Sequence, residues 1–239
     1  MNASFYTASV GAGMHPSRLD IISNNIANVN TDGYKGKASV FSNLIYNNIN
    51  EAQKSRSLKS GTGIKISGTD TDFRQGQLNE TGSDLDFAIR GPGYFAVQSP
   101  ASGETFYTRD GSFIMSQPID FDGENFNLVT KEGFYVLDSN QEPIVLRNAQ
   151  ENLDIGVYTF PILNGMESVG DGKFRPTPKN GEPELVEVSD ILEKGAVEMS
   201  NVDLAGEMSR IVETQRAYQF AIKMIQTSDE VTGMINSLR

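Results

Sequence analysis

Between Met199 and Arg239, Leu204, Met208, Ile211, Gln215, Tyr218, Ile222 and Ile225 recur at alternating steps of four and three. That spacing lays them along one stripe of an α-helix, with Glu207, Arg210, Glu213 and Lys223 mostly off it. Ser200-Asn201-Val202-Asp203 places a hydroxyl three residues before a carboxylate. This capping-box pattern predicts the helix start, with the carboxylate near the positive end of the helix dipole. Beyond Ile225 the stripe drifts to Val231, Ile235 and Leu238. A helix of about 35 residues is roughly 50 Å long, more than one small domain can cover.

The first thirty residues repeat the signature. Phe5, Ala8, Ala12, His15, Leu19, Ile22, Ile26 and Val29 alternate by three and four. Pro16 lacks an N–H and clashes with the carbonyl four residues back, so either a kink or a second helix beginning near His15 is expected. Ser23, Asn24, Asn25 and Asn28 are poor interior helix formers. Their amides either fix register against a facing helix, as buried Asn does in coiled coils, or are simply solvated. Asn30-Thr31-Asp32-Gly33 stops the helix with turn chemistry. Two such helices can pair with each other, and their surplus apolar surface can pair with neighbouring copies. Segments of this kind fold on binding, so order at both ends is expected to arise with assembly.

From Tyr34 to Gly63 the chain is polar, broken by Val40, Phe41, Leu44, Ile45 and Tyr46, and reads as an extended arm. Lys54, Arg56 and Lys59 make it basic against an acidic remainder, suited to an acidic neighbour, to another copy or to solvent alone. From Ile64 to about Lys194 the period becomes two. Short strands are predicted around 85–89, 94–97, 105–108, 113–115, 127–130, 134–137, 144–146, 155–160 and 185–188. Turns such as Asp110-Gly111, Asp122-Gly123, Glu132-Gly133 and Asn180-Gly181 separate many of them. The expected fold class is α+β: long N- and C-terminal helices pairing as a coiled-coil-like core, a central all-β domain and an extended polar arm. The expected divisions are a core helix at 1–33, an arm at 34–63, a β domain at 64–194 and a core helix at 195–239.

A formal charge of −11 argues against nucleic acid or an anionic membrane surface as principal partner. The chain has no cysteine, hence no disulfide framework, thiolate metal site or cysteine nucleophile. No apolar run reaches the roughly 18 residues of a membrane span, so no direct membrane insertion is expected. Met1 to Gly13 lacks the basic start and apolar core of a cleavable signal peptide.

Catalysis finds no foothold. The single histidine, His15, sits on an apolar stripe and belongs to no triad. Asp84 and Asp86 on one side of a strand mimic a carboxylate pair, without aromatics nearby to line a sugar cleft. Asp120-Phe121-Asp122-Gly123-Glu124-Asn125 has its glycine two places early for a calcium loop, and a hairpin turn is the better reading. Gly91-Pro92-Gly93 opens a strand rather than a helix, and is no phosphate cradle. Neither enzyme activity, nor a metal, nor a cofactor is expected.

Ser23-Asn24-Asn25-Ile26-Ala27-Asn28-Val29-Asn30-Thr31-Asp32-Gly33-Tyr34-Lys35 closely resembles the N-terminal motif of bacterial flagellar axial proteins, the rod and hook family. Leu85-Asp86-Phe87-Ala88-Ile89 with Gly91-Pro92-Gly93-Tyr94-Phe95, then Tyr107-Thr108-Arg109-Asp110-Gly111-Ser112-Phe113, are similar to that family too. So are Gly195-Ala196-Val197-Glu198-Met199-Ser200-Asn201-Val202-Asp203 and Gln215-Arg216-Ala217-Tyr218. The resemblance implies a structural subunit of the flagellar basal body, exported unfolded through the flagellar type III apparatus without a cleaved signal. It implies polymerisation outside the cytoplasmic membrane, in periplasm or cell wall, with the terminal helices lining a tube that transmits torque and passes exported subunits. Implied partners are further copies in a helical homopolymer, adjacent rod and hook proteins, and the export apparatus. The modest length favours a rod subunit over a hook protein, with features of both the distal and the proximal type. The expected assembly interface comprises Phe5, Ala8, Ala12, Leu19, Ile22, Asn24, Asn25, Ile26, Asn28 and Val29, with Leu204, Met208, Ile211, Gln215, Arg216, Tyr218, Ile222 and Ile225. The rival reading is a secreted β-domain binding module for a cell-wall polymer, dimerised by its helices.

Overall fold

The computed structural model describes residues 3–43, 47–48, 59–60, 63–117, 126–146, 153–186 and 191–238. The fold is α+β: a helix at each end and strands between. It divides into two compact units, and neither is a continuous stretch of chain. One comprises Met1–Ala27, Lys37–Thr71 and Asp203–Arg239; the other comprises Asn28–Gly36 and Asp72–Val202. These units group segments by contact, whereas the expected divisions at 33/34, 63/64 and 194/195 follow chain order. The segment after α1 and the segment before α2 hydrogen-bond to each other in the second unit: Gly33 N–H donates to the Glu198 carbonyl and Asn201 N–H to the Tyr34 carbonyl.

In the first unit, α1 (Ala3–Ala27) runs unbroken through Pro16, and α2 (Leu204–Ser237) spans 34 residues, roughly 50 Å. The α2 cap is Asp203, whose carboxylate accepts from the Ala205 N–H at 3.1 Å. The start is three residues later than the capping box predicts. Ser200 is not the cap because Asn201 holds the backbone extended there: its side chain accepts from Gly36 N and donates to the Asp72 and Arg74 carbonyls. Lys37–Asn43, read as part of a polar arm, is a strand paired antiparallel with Ile64–Thr71, and Asn47–Asn48 pairs with Lys59–Ser60 farther along the same hairpin. Its polar residues do not preclude a strand, since a two-stranded ribbon buries little. Leu44, Ile45, Tyr46, Lys54, Arg56 and the Asp120–Asn125 turn lie outside the described residues, as does the Lys59 side chain.

The second unit is built on a ten-stranded sheet. Its main path runs Val145–Leu146, Phe126–Thr130, Tyr135–Val136, Tyr94–Gln98, Thr105–Thr108, Lys173–Arg175, Glu167–Gly170. Strands appear at each of the nine predicted places, though 187–188 lie outside the described residues. The Glu167–Gly170/Lys173–Arg175 hairpin was not legible, because Gly170, Gly172 and charged residues hide its alternation. The two-residue period sorts the core onto both sheet faces. Phe95, Val97, Phe106 and Val157 belong to one apolar cluster, and Tyr94, Ala96, Tyr107 and Tyr158 to another. Glycines permit close approaches here. A Cβ at Gly111 would stand 1.7 Å from the Phe87 carbonyl oxygen, and one at Gly93 would stand 2.5 Å from Val157 Cγ1.

Candidate assembly interface

The two helices of the first unit run antiparallel. Asn25 near the end of α1 meets Glu207 in the first turn of α2, and Arg18 meets Glu213 farther along. On α1 the predicted stripe holds: Phe5, Ala8, His15, Leu19 and Ile26 are half-buried, and Ala12 and Ile22 are buried. Val29, past the helix end, is half-buried as well.

Asn25 is the buried member of the asparagine set. Its side chain accepts from the Lys37 N–H at 2.9 Å and donates to the Lys37 carbonyl at 2.8 Å and to the Glu207 carboxylate at 3.4 Å. One amide therefore ties α1 to both the hairpin and α2. Asn24 is exposed, and Asn28 accepts from the Thr31 hydroxyl in the turn after the helix. His15 is held below its ordinary pKa, first by burial and then by the Arg18 guanidinium.

On α2 the α1-facing side is rotated from the predicted stripe by about 70°. Glu207 and Thr214 are buried, and Ile211, Ala217, Ala221, Ile225 and Ser228 are half-buried. Of the predicted stripe, Ile211, Ile222 and Ile225 are half-buried, whereas Leu204, Met208, Gln215 and Tyr218 are exposed, as is Arg216. Small and polar groups let the helices approach. Thr214 spends its hydroxyl on the Arg210 carbonyl, and Glu207 takes an ion pair from Arg210 at 2.6 Å. Hydrophobicity alone could not reveal this, because the inward row contains Glu207 and Thr214 and omits the bulkiest side chains.

Those bulky side chains remain outside. Leu204, Met208 and Val212 form one apolar strip, and Phe220, Met224, Val231, Ile235 and Leu238 form another, on opposite flanks of the α1-facing side. Phe220 is 69 % exposed and Leu238 88 %. The antiparallel register carries the described start of α1 to the neighbourhood of Ser228, and residues 229–238 are all exposed. Val212, Phe220, Met224 and Met234 lie outside the expected interface; the four-residue steps 204–208–212 and 220–224 were the available signal.

Asp84 and Asp86, the two carboxylates weighed as a pair, stand apart among the described residues of the second unit. Asp84 pairs with Lys194 at 3.4 Å, and Asp86 accepts from the Thr81 hydroxyl, so each carboxylate is engaged separately. Asp84 lies in a turn, off the strand on which the two were to share a side. Among the described residues no cluster of acidic, histidine or cysteine side chains is arranged to hold a metal ion. No described helix is long and apolar enough to cross a membrane.

Three family descriptions match in chain order. Residues 5–35 match "Flagella basal body rod protein", 88–158 match "Flagellar hook protein FlgE/F/G D1 domain", and 193–238 match "Flagellar basal body rod FlgEFG protein C-terminal". The chain is 33% identical over 270 residues to the flagellar basal-body rod protein FlgG of Buchnera aphidicola subsp. Acyrthosiphon pisum, covering 100% of each. It is 32% identical over 261 residues to that of Agrobacterium fabrum, covering 96% of each. The flagellar hook-basal body complex protein FlhP of Bacillus subtilis is 29% identical over 271 residues, again with 100% of each covered. The matches take in both helical ends as well as the sheet, and by them the chain belongs to the flagellar basal-body rod protein family.

Proposed function

We propose that this chain is a structural subunit of the flagellar basal-body rod, polymerising through its terminal helices into a tube that transmits torque and passes exported subunits. The carrying observation is the apolar surface of α2 that α1 leaves uncovered: two strips on opposite flanks, continued by residues 229–238. Strips that do not face the same way favour heterologous contacts, and a heterologous rotation that does not close generates an open helical polymer. Covering each large side chain contributes about 1.5–3 kcal/mol, so contacts with several copies overcome the ordering cost that one contact would not.

The surface offered to neighbouring copies comprises the exposed members of the expected interface, Leu204, Met208, Gln215, Arg216 and Tyr218, together with Val212, Phe220, Met224 and Met234, whereas Ala12, Ile22 and Asn25 are buried within one chain. Partners are further copies, adjacent rod and hook proteins and, during delivery, the flagellar export apparatus. The subunit works outside the cytoplasmic membrane, in a structural role.

Sedimentation velocity across a concentration series tests this reading. A growing distribution of large species above a threshold concentration is expected. A single closed dimer at every concentration would overturn it and favour a binding module dimerised by its helices.

A further inference from the structure

The second unit contains a buried ionic cluster that its sheet does not require. Glu198 is 1 % exposed and accepts from the Lys35 ammonium at 2.6 Å through one oxygen and from Arg109 at 2.9 Å through the other. Lys35, 2 % exposed, donates also to the Arg74 carbonyl at 2.8 Å, and the Gly76 N–H reaches Glu198 at 2.8 Å. Arg109 is fixed in turn by the Gly91 carbonyl at 2.7 Å and lies over the Tyr94 ring, 5.1 Å from its centre. Taking three charges out of water is costly, and a core of this size can be closed with apolar residues alone.

What distinguishes the cluster is where its members come from. Lys35 lies in the segment that follows α1, Glu198 in the segment that precedes α2, and Arg109 in the sheet unit between them in sequence. The two outer segments also touch through their backbones. Gly33 N–H donates to the Glu198 carbonyl at 2.6 Å, Asn201 N–H to the Tyr34 carbonyl at 3.4 Å, and Gly36 N–H to the Asn201 side chain at 2.8 Å.

We propose that Lys35, Arg109 and Glu198 are positioning residues for assembly: a clasp that holds the segment leaving α1 beside the segment entering α2. The assembly side of this inference rests on the polymerisation reading above. The clasp makes the two segments a single cooperative unit. Release of either frees both, and a chain with a loose clasp meets its neighbours without a fixed root for either helix.

Hydrogen exchange on the dilute full-length chain reads the clasp without any polymer. Lys35→Met is expected to speed exchange about tenfold or more across both 28–36 and 196–202, with Tyr94–Gln98 still protected. Should Lys35→Met fail to fold, Glu198→Gln keeps the side chain's shape and one acceptor while removing the negative charge and the other acceptor, and the same paired pattern is expected. Lys173→Met is the control. It removes another buried ammonium of this unit, one paired with Glu132 and remote in sequence from both terminal segments, and is expected to loosen its own strands only.

In sedimentation, Lys35→Met is expected to raise the assembly threshold about tenfold over Lys173→Met, with the two compared at temperatures giving matched stability. Faster exchange in 28–36 alone, an even rise through the unit as in the control, or equal thresholds in the two variants would overturn the clasp. If the parent chain forms no polymer at any concentration, the polymerisation reading fails, and the exchange pattern alone decides the clasp.

Discussion

Asn25 donates to Glu207 across the seam between α1 and α2, at 3.4 Å and 182 positions away in sequence, while holding the Lys37 backbone with the rest of its amide. Leu cannot make any of these three bonds. Asn25→Leu is therefore expected to cost about 1–3 kcal/mol despite its greater hydrophobicity and better helix propensity. The check is denaturant unfolding of the full chain followed by its helical signal. An unchanged midpoint would mean that the amide is not what pins the helices.

The exposed and inward sides of α2 should respond differently to charge. Phe220→Glu leaves the α1-facing row untouched, so the dilute variant should match the dilute parent chain in helical signal while its assembly threshold rises by about two orders of magnitude. Ile222→Asp instead puts a carboxylate at a half-buried position of the chain's own helix pair, and it should lower helical content before assembly is reached. Circular dichroism at low concentration, followed by sedimentation, separates the two.

His15 gives the helical unit a pH dependence of known sign. Its pKa is lowered in the folded chain, by burial first and by Arg18 second, so the unfolded chain takes the proton more readily. Stability is full above the ordinary histidine pKa of 6.5 and is lost as pH falls from there toward the depressed folded value. His15→Gln should flatten that part of the stability curve. A wild-type slope that survives the substitution would assign it to another group.

Gly111→Ala should cripple the sheet unit. The added carbon would stand 1.7 Å from the Phe87 carbonyl oxygen, a backbone atom that cannot turn aside as a side chain can. A loss of about 3 kcal/mol or more is expected, visible as early melting in tyrosine-region circular dichroism. Gly133→Ala serves as a contrast, since a Cβ there meets nothing within 4 Å and faces only the strain of a positive φ of 88°.

Much of this was legible in the sequence because period and punctuation report directly on backbone form. The three-four spacing of Phe5 to Ile26 marks an α1 face that is buried or half-buried throughout, and the two-residue alternation around Leu85–Val97 marks strands. What was not legible depends on partners. The inward row of α2 includes Glu207, bonded to Asn25 and Arg210, and Thr214, bonded to the Arg210 carbonyl, and hydrophobicity does not rank such residues inward. The true cap, Asp203, emerges only because Asn201 is engaged with Gly36, Asp72 and Arg74. Lys35, Arg109 and Glu198 lie in three separate motifs, and nothing local says that their charges meet.

Negative-stain electron microscopy of the chain, taken through a concentration series beside Phe220→Glu, shows whether the exposed strips of α2 build an open polymer. Open, hollow tubes or protofilaments are expected from the parent chain and none from the variant at the same concentrations. Closed dimers or rings from the parent chain at every concentration, or equal tubes from both, would contradict the polymerisation reading.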